Sequence, residues 1–288
     1  MARILDGTLL ANSICQEVAA ECYGESPTLA VILCGNDPAS EIYVNKKREA
    51  CKKYGINSQL IRLFDNGIEN WSDPQGLLLD TIRGLNHNES VHGILLQLPL
   101  PVRLDRFSAF DVIDPMKDVD VFSPCNVGLL VQGRPRYLPC TPQAVHQMLQ
   151  RSEISTFKKK VVVINRSDVV GKPLSAMLSQ DDIYANATVC MCHDHTPPDK
   201  LKELCLWADI IVVAVGKPKF LTADMVSAGA VVIDVGINRI DGKVVGDVDF
   251  LPVSEKASAI SKVPGGIGPL TIACLLRNTL EAFKLQTK

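Results

Sequence analysis

Tyr43 and Lys47 stand four residues apart in NDPASEIYVNKKREACKKYG, the spacing that makes two side chains neighbours on one helix face. Lys46, Arg48, Lys52 and Lys53 surround Lys47 with like charge. If Lys47 points into a pocket, that crowding and desolvation both favour the neutral amine, the form that can take a proton from water. The rival reading is a solvated basic helix face with Tyr43 packed at its edge. Gln97 is the lone polar side chain in the apolar run GILLQLPLP, near the carboxyl end of an expected strand. Ligands of open α/β sheets bind at such ends. A buried amide without a partner costs roughly 1–3 kcal/mol, so Gln97 needs one, either a ligand-binding group or a neighbouring loop. Asp118 and Asp120, in PMKDVDVF, could serve acid–base work, bind a cation or hold an amino-bearing heterocycle. A turn with helix-capping acids would look the same.

A second constellation lies in VVVINRSDVVGKPLS, residues 161–175. A β-branched run passes through a polar loop into Gly171 and an expected helix, the outline of a dinucleotide-binding turn with most of its glycines missing. Asn165, Ser167 and Gly171 stand where those glycines would fall. Asn tolerates left-handed backbone better than most residues, and Ser is small enough for a phosphate to come close. Asp194 lies 23 residues beyond Gly171, just past the next expected strand, where an acidic group commonly binds the ribose hydroxyls of NAD. Nearby Cys190, Cys192, His193 and His195 are soft ligands, but no second Cys/His pair lies at metal-site spacing. They read as a strand running out into a polar loop, and no metal is expected.

These side chains need elements to carry them. Runs at 29–34, 58–63, 93–98, 161–164, 188–192, 210–215 and 231–235 read as strands, several apolar throughout, as expected when both sheet faces are covered. Alternation with helical patterns predicts an α/β fold with parallel sheet. Asp37-Pro38 puts a capping carboxylate before a first-turn proline, Gly55 stops that helix, and Thr141-Pro142 opens another in the same manner. A length of 288 residues suggests about two domains, with the turn-rich stretch 114–141 as the crossing. A net charge of −2 gives no case for nucleic acid or an anionic membrane. The longest apolar runs fall well short of the roughly 20 residues that span a bilayer. The polar, acidic amino terminus lacks a signal-peptide core, and ten cysteines without a compact framework read as reduced thiols, so a cytoplasmic location is expected.

IYVNKKREAC, GILLQLPLP, PMKDVDVF, PCTP, NRSDVVGKP, AVGKP, VIDVGIN and PGGIGPLT fall in the order found in the bifunctional methylenetetrahydrofolate dehydrogenase/cyclohydrolases. The chain resembles that family from Ile4-Leu5-Asp6-Gly7 almost to its carboxyl end. The resemblance implies an N-terminal α/β substrate domain, residues 1–141 with a returning helix at 268–288, and a C-terminal Rossmann-type dinucleotide-binding domain at 142–267. It also implies a homodimer acting on tetrahydrofolate derivatives. The implied reactions are oxidation of 5,10-methylenetetrahydrofolate to 5,10-methenyltetrahydrofolate, then hydrolysis to 10-formyltetrahydrofolate.

By matched position, Lys47 is the family's catalytic lysine, Gln97 hydrogen-bonds it, and the Tyr43 ring packs against the folate. Asp120 holds the pterin's amino face, a charge-assisted contact. Pro264, Gly265 and Gly268 belong to the loop that lets backbone approach substrate and nicotinamide, which glycine permits. Arg166 and Ser167 match residues that grip the 2′-phosphate of NADP, a dianion suited to an arginine fork. Asn165, Gly171 and Ile237 belong to the same cofactor site. The family usually has Gly where Asn165 stands, and Gly where Val121 stands; a β-branched residue there is strained if the backbone needs positive φ. Arg166 thus favours NADP, the expected cofactor, whereas Asp194 would repel a 2′-phosphate and makes NAD the alternative. A monofunctional NAD-dependent dehydrogenase and a non-catalytic folate- or nucleotide-sensing protein are the competing readings.

Overall fold

Short apolar runs become the strands of two separate parallel sheets in the computed structural model, which describes residues 1–287. From the amino terminus come β1 (Arg3–Leu5), α1 (Gly7–Glu21), β2 (Thr28–Cys34), α2 (Pro38–Lys53), β3 (Asn57–Leu63), α3 (Pro74–His87) and β4 (Gly93–Leu96). Then follow α4 (Arg106–Val112), α5 (Pro124–Val131), α6 (Cys140–Arg151), β5 (Lys160–Ile164), α7 (Gly171–Leu178) and β6 (Thr188–Cys192). The chain continues through α8 (Pro198–Trp207), β7 (Ile210–Val213), β8 (Val231–Asp234) and a hairpin of β9 (Asn238–Ile240) and β10 (Lys243–Val245). It closes with α9 (Phe250–Lys256), β11 (Ala259–Ser261) and α10 (Ile267–Gln286).

One compact unit comprises Ile14–Leu129, Pro135–Cys140 and the residues from Leu275 onward. Its sheet runs β3-β2-β4, all parallel. The central strand is apolar and buried from Leu29 to Cys34, as expected when both faces of a parallel sheet are covered. Ala30, Ile32, Ile94 and Leu96 pack on Leu78 and Ile82 of α3. The Asp37 carboxylate accepts the Ser40 N–H at 2.8 Å and Pro38 fills the first turn, so α2 starts where the sequence signals. Gly55, at φ +83°, supplies the left-handed residue that ends it. The segment after α4 is pinned by Lys117, whose buried ammonium donates to the carbonyls of Leu85, Asn86 and Asn88 at the end of α3. Ile94 N–H also donates to Lys117 O at 2.7 Å, so this segment runs alongside β4.

The other unit comprises Met1–Ser13, Leu130–Arg134 and Thr141–Cys274. Its six strands are ordered β1-β11-β8-β7-β5-β6, with every pairing parallel. Here the structure departs from the expected division at residue 141: the first thirteen residues join this unit, because Arg3 pairs with Ala259 and Leu5 with Ser261. A three-residue strand is too short to show periodicity, and its partner is far off in sequence. The Asp6 carboxylate caps α1 through Thr8 N–H and Leu9 N–H and pairs with Lys262 at 2.6 Å.

Candidate active site

Lys47 sits on α2 and Gln97 one residue beyond β4, and the fold brings them together. Lys47 Nζ donates to Gln97 Oε1 at 3.0 Å. Gln97 Nε2 donates in turn to Leu98 O, which fixes the amide so that its oxygen faces the lysine. The partner that the Gln97 amide requires is therefore Lys47, which is half-buried and hydrogen-bonded and not part of a solvated basic face. Burial pushes Lys47 below the usual lysine range, opposed by the negative charge of Asp120 and by the Cys140 and Cys51 thiols. Burial likewise lifts the Asp120 carboxyl, opposed by Lys47 and by hydrogen bonds from the Cys140 thiol and backbone N–H. Both residues remain half-buried as wholes, which leaves the pair an open side. Tyr43 lies one turn before Lys47 on α2, also half-buried.

The two acids of Asp118-Val119-Asp120 have different duties. Asp118 Oδ1 accepts Phe122 N–H at 2.9 Å, and Oδ2 accepts Ser123 N–H and Asn126 Nδ2 at 2.9 Å each. Asp118 is thus the turn-forming, capping acid, and Asp120 is the one left to face Lys47. Val121, between this turn and α5, sits at φ +64° and is buried. The strained geometry feared for a β-branched residue is what the backbone adopts.

In the six-stranded unit the β5-to-α7 turn is closed by one side chain. Asn165 Oδ1 accepts Ser167 N–H (2.8 Å), Ser167 Oγ–H (2.7 Å) and Gly171 N–H (2.9 Å), while Nδ2 donates to Ala214 O at 2.6 Å. Asn165 is not among the residues of positive φ, so the expectation of a left-handed backbone there is corrected. Its carboxamide, not its backbone, replaces the missing glycine. Gly171 is required by space: a Cβ there would lie 2.0 Å from Asn165 O. Arg166 Nη2 and Asp194 Oδ1, which the sequence set in opposition, form an ion pair at 2.6 Å, with His193 and His195 nitrogens 3.9 and 3.6 Å from the same carboxylate. Among the described residues no group of three or more His, Cys, Asp or Glu is arranged to hold a metal ion.

Pro264, Gly265 and Gly268 lie in the six-stranded unit. Gly265 takes φ +96°, and its carbonyl accepts Thr8 N–H at 3.0 Å. A Cβ on Gly7 would lie 1.8 Å from Gly266 O, so the ILDG segment and the PGGIGP loop touch backbone to backbone. Ile237 Cδ1 lies 3.7 Å from where a Gly268 Cβ would be, which joins the VIDVGIN and PGGIGP motifs. Sequence reasoning missed Asp247: its buried carboxylate accepts Val215 and Gly216 N–H of the AVGKP loop at 2.6 and 2.9 Å, and Asn238 Nδ2 at 2.8 Å. It also missed Cys140 as a neighbour of Asp120; the PCTP motif flagged the segment but not the contact.

These features fit a dinucleotide at the carboxyl end of β5: a strand-to-helix turn that tolerates only glycine at its tip, and an arginine beside it. Comparison with known proteins agrees. Residues 139–287 match the NAD(P)-binding domain of tetrahydrofolate dehydrogenase/cyclohydrolase, and residues 5–120 match its catalytic domain. The bifunctional protein FolD of Rhodopirellula baltica is 50% identical, the alignment covering 98% of this chain and 97% of that protein. The crystal structure of the bifunctional FolD enzyme of Campylobacter jejuni superposes with a TM-score of 0.92 at 44% identity, over 99% of each chain. The Trypanosoma brucei methylenetetrahydrofolate dehydrogenase-cyclohydrolase, solved with NADP and an inhibitor, gives 0.91 at 34% identity, over 100% of this chain and 99% of that one. With both of its domains matched and its length covered, the chain belongs to the tetrahydrofolate dehydrogenase/cyclohydrolase family.

Proposed function

We propose that the enzyme oxidises 5,10-methylenetetrahydrofolate to 5,10-methenyltetrahydrofolate with NADP and then hydrolyses it to 10-formyltetrahydrofolate. The observation that carries the hydrolytic half is Lys47, hydrogen-bonded to Gln97 and facing Asp120. Bound dinucleotide supplies the hydride acceptor for the first reaction. Loss of hydride leaves a cation shared by the two folate nitrogens flanking the carbon, so this chain's task there is positioning, not proton abstraction. Asp120 is the residue to hold the pterin's amino face, and the Tyr43 ring the one to pack on the folate.

Hydrolysis needs a base and then an acid. Burial favours the neutral amine of Lys47, one N–H of which is committed to Gln97. The lone pair takes a proton from water as the water oxygen bonds to the methenyl carbon. The ammonium so formed returns the proton to N5 as the carbon–N5 bond breaks. The adduct's hydroxyl gives its own proton to the amine thus freed, which leaves the formyl carbonyl on N10 and one proton to pass to solvent. Lys47→Met is therefore expected to cut cyclohydrolase activity by about 10²- to 10⁴-fold, with the methenyl species accumulating in single-turnover absorbance traces. Unchanged hydrolysis would remove Lys47 from this role.

Arg166, Ser167 and Gly171 are the residues to meet the dinucleotide phosphates, and the NADP bound by the Trypanosoma brucei relative supports NADP here. The Arg166–Asp194 pair favours NAD as the second reading, since the guanidinium already has an anion. The homodimer is supported by β6 at the open edge of its sheet, with Met191 partly exposed and Ile183 and Tyr184 exposed nearby. All ten cysteines are thiols, which suits a reducing cytoplasm, and no helix among the described residues is long and apolar enough to cross a membrane.

A further inference from the structure

Asn278 is an anomaly on α10. It is 3% exposed, flanked by buried Leu275, Leu276 and Leu280, where an apolar side chain would be the simpler choice. A buried carboxamide persists only if its donors are used. They are: Nδ2 donates to Val119 O and to Leu138 O, each at 2.8 Å, and lies 3.7 Å from Cys140 Sγ. The two carbonyls belong to two irregular segments that share no strand ladder. One leads directly into Asp120, and the other leads within two residues to Cys140. Cys140 Sγ lies 3.5 Å from Val119 O, and its thiol and backbone N–H bond to Asp120.

We propose that Asn278 is a positioning residue for hydrolysis: its carboxamide rivets the Val119 and Leu138 segments together and so fixes Asp120 against Lys47. This rests on the reading of Lys47 as the proton-transfer group. The charged and titratable groups facing Lys47 are Asp120, Cys140 and Cys51; those facing Asp120 are Lys47, Cys140 and Asp118. Asp120 is the group whose negative charge offsets the burial of Lys47. Releasing its segment weakens that offset, so the neutral amine becomes easier to form while the pterin contact loosens.

The test compares wild type, Asn278→Leu and Asn278→Ser, the second keeping one donor in a smaller side chain in case the first fails to fold. Lysine ε-carbon labelling follows the Lys47 titration by NMR, with the signal assigned from Lys47→Met. Release of Asp120 is expected to lower the Lys47 midpoint by about half a pH unit or more. The cyclohydrolase is expected to lose about tenfold in kcat, its pH profile moving with the titration, and Asn278→Ser is expected to fall between wild type and Asn278→Leu. A folded variant with the wild-type Lys47 midpoint overturns the proposal, as does an activity loss that follows the melting temperature with an unmoved pH profile. The titration needs no turnover. A Lys47 midpoint that moves while Lys47→Met still hydrolyses would sink the role of Lys47 and leave the rivet standing.

Discussion

On the proposed reading of the cofactor site, the 2.6 Å pair between Arg166 and Asp194 sets two partners in competition for the guanidinium: the carboxylate in contact with it and the phosphate of NADP. Both side chains are well exposed, and solvent-exposed pairs of that kind are weak, so a dianion can displace the carboxylate at modest cost. Asp194→Asn is expected to lower the KM for NADP by up to about fivefold, as loss of a weak exposed competitor allows, and to leave the KM for NAD unchanged or raised. Initial rates with each cofactor measure it, and equal shifts for both would show that Asp194 does not discriminate. At this scale much was legible in the chain. The four-residue spacing of Tyr43 and Lys47 and the solitary amide of Gln97 pointed to real neighbours, because helix periodicity and burial cost are local rules. The same rules could not say which of Asp118 and Asp120 would turn inward. Nor could they join Asn278 to Val119 across 159 positions, since only the tertiary fold brings them together.

Elements were read well where they were long and apolar. The strand at 188–192 coincides with β6, and the capping signals of α2 are realised by Asp37 and Gly55. β1, β9, β10 and β11, each three residues long, went unread because no period fits in so short a run. Loops are legible in part: Val121 takes the positive φ that would strain it, whereas Asn165 meets its turn's needs through its side chain. Val121 in left-handed backbone costs on the order of 1–2 kcal/mol, while its buried side chain contributes a similar amount. Val121→Gly is therefore expected to move unfolding stability by less than about 1 kcal/mol, against the roughly 2–5 kcal/mol typical of large deletions in a core. Chemical denaturation measures it; a loss in the usual core range would mean that the turn bears no strain.

Across the whole molecule, the parallel α/β architecture was legible from the alternation of strand and helix signals and two units from the length, but the place of the first thirteen residues in the six-stranded unit was not. Buried acids add a pH dependence that no single motif announced. Burial lifts the Asp234 carboxyl to about 6, against the N–H groups of Asp247, Val248 and Gly236 that favour its charge. The folded chain thus holds this proton more tightly than the unfolded chain, whose carboxyl titrates near about 3.9. The contribution is full below about pH 4 and is lost as the pH rises through about 6, on the order of 2–3 kcal/mol. Urea midpoints of wild type are expected to fall between about pH 4 and 6.5 relative to those of Asp234→Asn; parallel curves would contradict the assignment.

The pairing of β1 with β11 also bears on how the protein is made. Arg3 to Leu5 leave the ribosome well before their hydrogen-bonding partners, Ala259 to Ser261. At roughly 5–20 residues per second, that edge of the sheet waits on the order of 10–50 s for its neighbour. The seat of Gly7 against Gly266 waits with it. Until then the nascent chain carries a strand without a sheet, and a gene cut near residue 140 would encode a downstream fragment that never receives it.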